Sequence, residues 1–154
     1  MVLGNVTVRG NLAPGSSPGV LSVTGSVTYA NGSTLEIEIG GAERGIDYDV
    51  VDASGAITVA SGATLSVSLI DDFAPVMGDE FDIMDFSTIA GEFTTYSLPA
   101  LGDGLVWDTS GLYTDGTIGV TPEPATFAMV VGGLAIAFLR RRPLTLPSPT
   151  GGEG

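Results

Sequence analysis

Leu35, Ile37 and Ile39 alternate with Glu36 and Glu38, and thirty residues further on Leu65, Val67 and Leu69 alternate with Ser66 and Ser68. A period of two places successive side chains on opposite faces of a strand, so both stretches read as β-strands with one apolar and one wet face. The polar members, Glu36 and Glu38 above all, are expected to be solvated and to protect a sheet edge.

The two strands belong to an internal repeat. Gly25-Ser-Val-Thr-Tyr-Ala-Asn-Gly-Ser-Thr-Leu-Glu-Ile-Glu-Ile39 aligns without gaps on Gly55-Ala-Ile-Thr-Val-Ala-Ser-Gly-Ala-Thr-Leu-Ser-Val-Ser-Leu69, with six identical positions. A period of this length is the mark of stacked supersecondary units. Asn31-Gly32 between apolar alternations also suits a hairpin. Looping only those two residues pairs Thr28 with Leu35 and Tyr29 with Thr34, which mixes polar and apolar side chains on each face. A longer hairpin or a solenoid corner restores the match, and the repeat favours the solenoid, with equivalent strands stacked in parallel.

Around this pattern the chain divides into four parts. Residues 1–70 read as β-strand repeats, interrupted by the turn-rich Asn11-Leu-Ala-Pro-Gly-Ser-Ser-Pro-Gly19. Residues 71–120, richer in aromatics, read as a β cap closing the stack. Residues 121–142 read as a proline-marked break, an uncharged apolar segment and an arginine cluster, and 143–154 as a disordered tail. The expected fold is therefore all-β, a short parallel β-solenoid with a β cap followed by one C-terminal transmembrane helix; the alternative is an antiparallel β-sandwich.

The helix expectation rests on residues 125–139, which carry no charge after the break at Thr121-Pro-Glu-Pro124 and before Arg140, Arg141 and Arg142. At 1.5 Å per residue this segment reaches roughly 22 Å, short of a hydrocarbon core of about 30 Å. Arginines at one end suit a membrane interface, where their side chains extend the effective span. The positive-inside rule then puts Arg140–Arg142 in the cytoplasm and the β body outside it.

Composition narrows the chemistry. The chain has no Cys, His or Lys, which removes thiolate and imidazole chemistry and the usual zinc and copper ligands. Residues 1–124 carry 17 acids against Arg9 and Arg44, a balance that repels nucleic acid. Asp47, Asp49 and Asp52 faintly resemble a calcium β-roll pattern, yet solvated loop carboxylates are the expected reading. Asp71 and Asp72 are neighbours on the chain and would point apart on a strand, so they make a poor acid–base pair. Trp107, Tyr96 and Tyr113 could stack on sugar rings, although filling the cap is the commoner use of such residues. No cofactor, no metal and no catalytic residue is expected.

Pro122-Glu123-Pro124, a short apolar segment and an arginine cluster, in that order near the chain end, resemble the PEP-CTERM sorting signal of Gram-negative and related bacteria. The body resembles autotransporter-associated β-strand repeat proteins, through Leu12-Ala-Pro-Gly-Ser-Ser-Pro-Gly19, Ser33-Thr-Leu-Glu-Ile-Glu-Ile39, Asp47-Tyr-Asp49 and Leu98-Pro-Ala-Leu-Gly-Asp-Gly-Leu-Val-Trp-Asp108. The resemblance implies export, temporary membrane anchoring and recognition of Pro122, Glu123 and Pro124 by an exosortase, with release to the surface or an exopolysaccharide matrix. Arg140, Arg141 and Arg142 would be the membrane stop. The implied partners are a membrane, an exosortase-type sorting protease and extracellular polysaccharide. The implied function is a structural or adhesive surface protein, the alternative a polysaccharide-binding or polysaccharide-cleaving module. Met1–Val8 runs into strand-like sequence with no basic region, so further repeats and a signal peptide are expected upstream.

Overall fold

Strand-forming residues separated by tight turns give the chain a triangular course. The computed structural model describes residues 1–124, and within them Met1–Pro122 forms one compact unit. A first rung contains β1 (Val6–Val8) and β2 (Asn11–Leu12), preceded by a bridge from Val2 to Val23. The second holds β3 (Val20–Val23), β4 (Val27–Tyr29) and β5 (Thr34–Ile39), and the third β6 (Val50–Ala53), β7 (Ala56–Val59) and β8 (Thr64–Leu69). After β9 (Glu80–Asp82), a fourth rung follows as β10 (Met84–Asp85), β11 (Thr88–Ala90) and β12 (Thr95–Ser97).

Equivalent strands pair in parallel on three faces, in the orders β3-β6-β10, β1-β4-β7-β11 and β2-β5-β8-β12. The register of the middle rungs is that of the sequence repeat: Val27 lies against Ile57, Tyr29 against Val59 and Leu35 against Leu65. Gly25 and Gly55 begin the two copies at a corner where the backbones nearly touch. The Gly55 N–H donates to the Gly25 carbonyl over 3.0 Å, and a Cβ on Gly55 would stand 2.8 Å from that carbonyl. At the next corner the Asn31 side-chain amide donates to the Ser61 carbonyl over 2.9 Å.

The core is the space the three faces enclose. Tyr29, Leu35, Ile37, Ile39, Ile57 and Leu65 are fully buried within it, and each of the five aliphatic side chains contributes on the order of 1.5–3 kcal/mol of apolar transfer. The tilted ring of Phe93 packs 5.5 Å from that of Tyr29. At one end the stack is closed by an antiparallel sheet in which β14 (Thr117–Pro122) pairs with both β9 and β13 (Leu105–Asp108). Phe81 is the centre of this closure, ringed by Tyr48, Phe73 and Trp107.

The expected fold, a β stack joined to one C-terminal transmembrane helix, is corrected on the described residues. They form an all-β body of several sheets with no helical element, and no helix among them is long and apolar enough to cross a membrane. The physical reason is visible in the chain: its apolar positions up to residue 120 recur with period two, and turns interrupt every few residues. Residues 125–139, Arg140, Arg141, Arg142 and the 143–154 tail lie outside the described residues. Antiparallel pairing of named strands, which a β-sandwich would require throughout, is confined to β9, β13 and β14. The parallel stacking also runs past residue 70, through β10, β11 and β12.

Candidate functional site

The outward side chains of β5 and β8 make the floor of a cleft. Register sets Glu36 beside Ser66 and Glu38 beside Ser68. The turn-rich loop 13–19 crosses above them. Pro14, Glu36, Glu38, Asp49, Ser66 and Ser68 are among the residues lining a volume of about 430 Å³.

Three residues fasten the loop. The Asn11 side-chain amide donates to a Glu36 carboxylate oxygen over 2.6 Å. The Ser17 hydroxyl donates to the carboxylate of Glu38. Asp49, 1% exposed, accepts the Gly19 N–H at 2.7 Å on one oxygen and the Glu38 N–H at 3.0 Å on the other. Burial pushes its carboxyl above the usual range, while the N–H groups of Glu38 and Gly19 pull it back. Asp49 thus joins loop, floor and the start of β6 in a single carboxylate.

Such a surface offers acceptors and hydroxyls to a hydrogen-bonding ligand. Acid–base hydrolysis would need a pair of carboxyl groups in different protonation states across a scissile bond. Asp71 and Asp72 follow β8 as exposed turn residues with φ of 54° and 56°, and neither lines the cleft. Among the described residues no group of three or more His, Cys, Asp or Glu side chains converges as a metal site. Asp47 instead accepts the Glu43 N–H at 3.0 Å, Asp49 is committed as above, and Asp52 lies on β6.

The aromatic residues serve the cap. The Trp107 indole N–H donates to the Pro99 carbonyl over 2.9 Å. Tyr113 accepts the Phe93 N–H at 2.7 Å and shares a 2.6 Å hydroxyl contact with Tyr96. Tyr96 stays partly open to solvent, at 38% exposure. A smaller cleft of about 170 Å³ lies in the cap beside Glu80, Asp108 and Asp115. There the N–H and hydroxyl of Ser110 hold the Asp108 carboxyl below its usual range. Arg44 reaches from the loop before β6 to Asp82, at 2.8 Å, and to Asp85.

Of the sorting-signal residues, Pro122 ends β14 opposite Leu105, and Pro122, Glu123 and Pro124 are all exposed. The role of Asp49 escaped sequence reasoning, which took it for a solvated loop carboxylate. A signal for it was present, since Gly19 and Asp49 are separated by the same thirty positions as the repeat. Comparison with protein-family models, curated proteins and solved structures finds no match to the chain.

Proposed function

We propose that the chain is an exported bacterial surface or extracellular-matrix protein with a structural or adhesive role, sorted through a C-terminal signal that an exosortase-type protease processes at Pro122-Glu123-Pro124. The order of parts carries this reading. A hydrogen-bonded body runs to Pro122, Pro122, Glu123 and Pro124 are exposed at its end, and the uncharged residues 125–139 then precede Arg140, Arg141 and Arg142. A protease acting at this point would leave every strand of the stack whole. The β body passes beyond the cytoplasm to the surface or matrix, and the membrane is a partner in transit. An all-β body with its apolar side chains inside and a polar outer surface suits a load-bearing or spacing element.

Fractionation of cells producing the chain behind a signal peptide tests the proposal. The protein is expected in membrane and then in surface or medium fractions. Replacement of Arg140, Arg141 and Arg142 by neutral residues is expected to abolish retention before release. An intact protein that never reaches the membrane overturns the reading.

The cleft favours a second reading, a polysaccharide-binding module, because Glu36, Glu38, Ser66 and Ser68 present acceptors and hydroxyls on one face. A glycan array read with the wild type and with Glu36→Gln/Glu38→Gln separates the two: selective binding lost in the variant supports the module, and its absence leaves the structural role.

A further inference from the structure

Of the three asparagines in the chain, Asn31 alone precedes a glycine; Asn5 is followed by Val6 and Asn11 by Leu12. A residue without a Cβ leaves its main-chain nitrogen open to close approach. The Gly32 nitrogen can therefore reach the side-chain carbonyl carbon of Asn31, the reaction that makes asparagine a heat-labile residue. Both residues are exposed, at the corner between β4 and β5, where water and base have access to them.

The third rung nevertheless holds both reacting groups. The Asn31 side-chain amide donates to the Ser61 carbonyl over 2.9 Å, and the Gly32 N–H donates to the Gly62 carbonyl over 3.1 Å. Buried Ser33 closes the turn from inside, its N–H and hydroxyl donating to the Ala30 carbonyl at 3.1 Å and 2.7 Å. Attack requires the Gly32 nitrogen to lose the proton it has committed to a hydrogen bond. It also requires the Asn31 side chain to swing away from the rung that holds it. Gly62 packs against that side chain: a Cβ there would stand 2.8 Å from Asn31 Nδ2.

We infer that Asn31 is a site of spontaneous deamidation that the stacked rungs keep unreacted, so that its modification records every opening of this corner. In the reaction the Gly32 nitrogen gives its proton to hydroxide and bonds to Asn31 Cγ. The bond from Cγ to Nδ2 breaks, and Nδ2 takes up a proton and leaves as ammonia. Water then opens the five-membered imide at either carbonyl, leaving aspartate or isoaspartate. One water enters, one ammonia departs, and nothing is oxidised or reduced. Both products damage the corner. The new carboxylate faces the Ser61 carbonyl without a donor, and isoaspartate inserts a further main-chain carbon ahead of the Gly32 N–H. A chain modified while the corner is open thus closes it less well. The inference goes beyond the sorting reading and does not depend on it.

Incubation of the full chain in mildly alkaline buffer, with and without denaturing guanidinium chloride, tests it. Peptide mass spectrometry follows the asparagine, aspartate and isoaspartate forms of the Asn31 peptide with time. Conversion is expected to be at least several-fold faster in denaturant, with Asn5 and Asn11 slower than Asn31 there. Gly62→Ala, whose methyl group displaces the Asn31 amide, is expected to raise the rate in native buffer several-fold and to leave the rate in denaturant unchanged. If Gly62→Ala does not fold, the wild type in graded sub-denaturing guanidinium chloride reads the same dependence, because reaction from an opened state follows the population of that state. Equal rates with and without denaturant overturn the inference. So does a native rate that neither a folded Gly62→Ala chain nor sub-denaturing guanidinium chloride raises.

Discussion

The main-chain N–H of Glu38 donates to the side chain of Asp49 over 3.0 Å, and the other oxygen of that carboxylate takes the Gly19 N–H. A strand in the middle of the stack and a loop on its surface are thereby held by one buried group. Asp49→Ala leaves both donors without an acceptor and is expected to cost about 1–3 kcal/mol of stability at neutral pH. Urea unfolding measures it. Asp49→Asn, which keeps one acceptor oxygen, is expected to cost less than Asp49→Ala.

The same carboxylate sets a pH dependence. Burial raises its folded pKa above the unfolded value, so the folded chain holds this proton more tightly. The part of its contribution that is linked to this proton is fully present below the unfolded value and is lost as pH rises through the folded one, leaving the two accepted hydrogen bonds. The stability gap between wild type and Asp49→Ala is therefore expected to widen as pH falls through that window. A gap that narrows on acidification would contradict the assignment.

Leu65 is fully buried in the column between Leu35 and Tyr96. Leu65→Ala is expected to destabilise by about 2–5 kcal/mol. Its neighbour Ser66 faces outward, and Ser66→Ala is expected to stay within about 0.5 kcal/mol of wild type. Equal effects at both positions in denaturant titration would contradict the alternation of inward and outward side chains.

Gly116 joins the cap to the fourth rung. Its carbonyl accepts the Ile83 N–H at 3.0 Å and the Met84 N–H at 3.2 Å. Its φ is +82°, and a Cβ there would overlap the Met84 carbonyl oxygen. Gly116→Ala is expected to cost more than about 1 kcal/mol, because both the conformation and the space exclude a side chain. Trp107 fluorescence followed through the unfolding transition reads the loosening of the cap.

The legible part of the fold was the part where identity and register coincide. Leu35 and Leu65 share a residue type, an alternation and a spacing, so the sequence repeat and the hydrogen-bonded ladder are one pairing. The fourth rung was hidden because pairing survives there while identity does not. Val51 pairs with Met84 and Leu65 with Tyr96; loops of different length shift the spacing, and larger side chains take over where the core approaches the cap. At the candidate site, Glu36 and Glu38 were visible as the wet face of a strand. That they floor a cleft was not, because the roof is a loop held by hydrogen bonds from Asn11, Ser17 and Gly19, and such contacts leave no periodic trace. The helix expected over 125–139 drew on an uncharged apolar run bounded by Pro122-Glu123-Pro124 and Arg140–Arg142, and those residues lie outside the described ones.

The intact mass of the protein recovered from the surface or medium, after expression behind a signal peptide, tests the proposed sorting most directly. The account predicts a chain ending at or beside Pro122-Glu123-Pro124, and no such product from a variant with all three replaced by alanine. A released protein still ending at Gly154, or the same shortened mass from the variant, would contradict it.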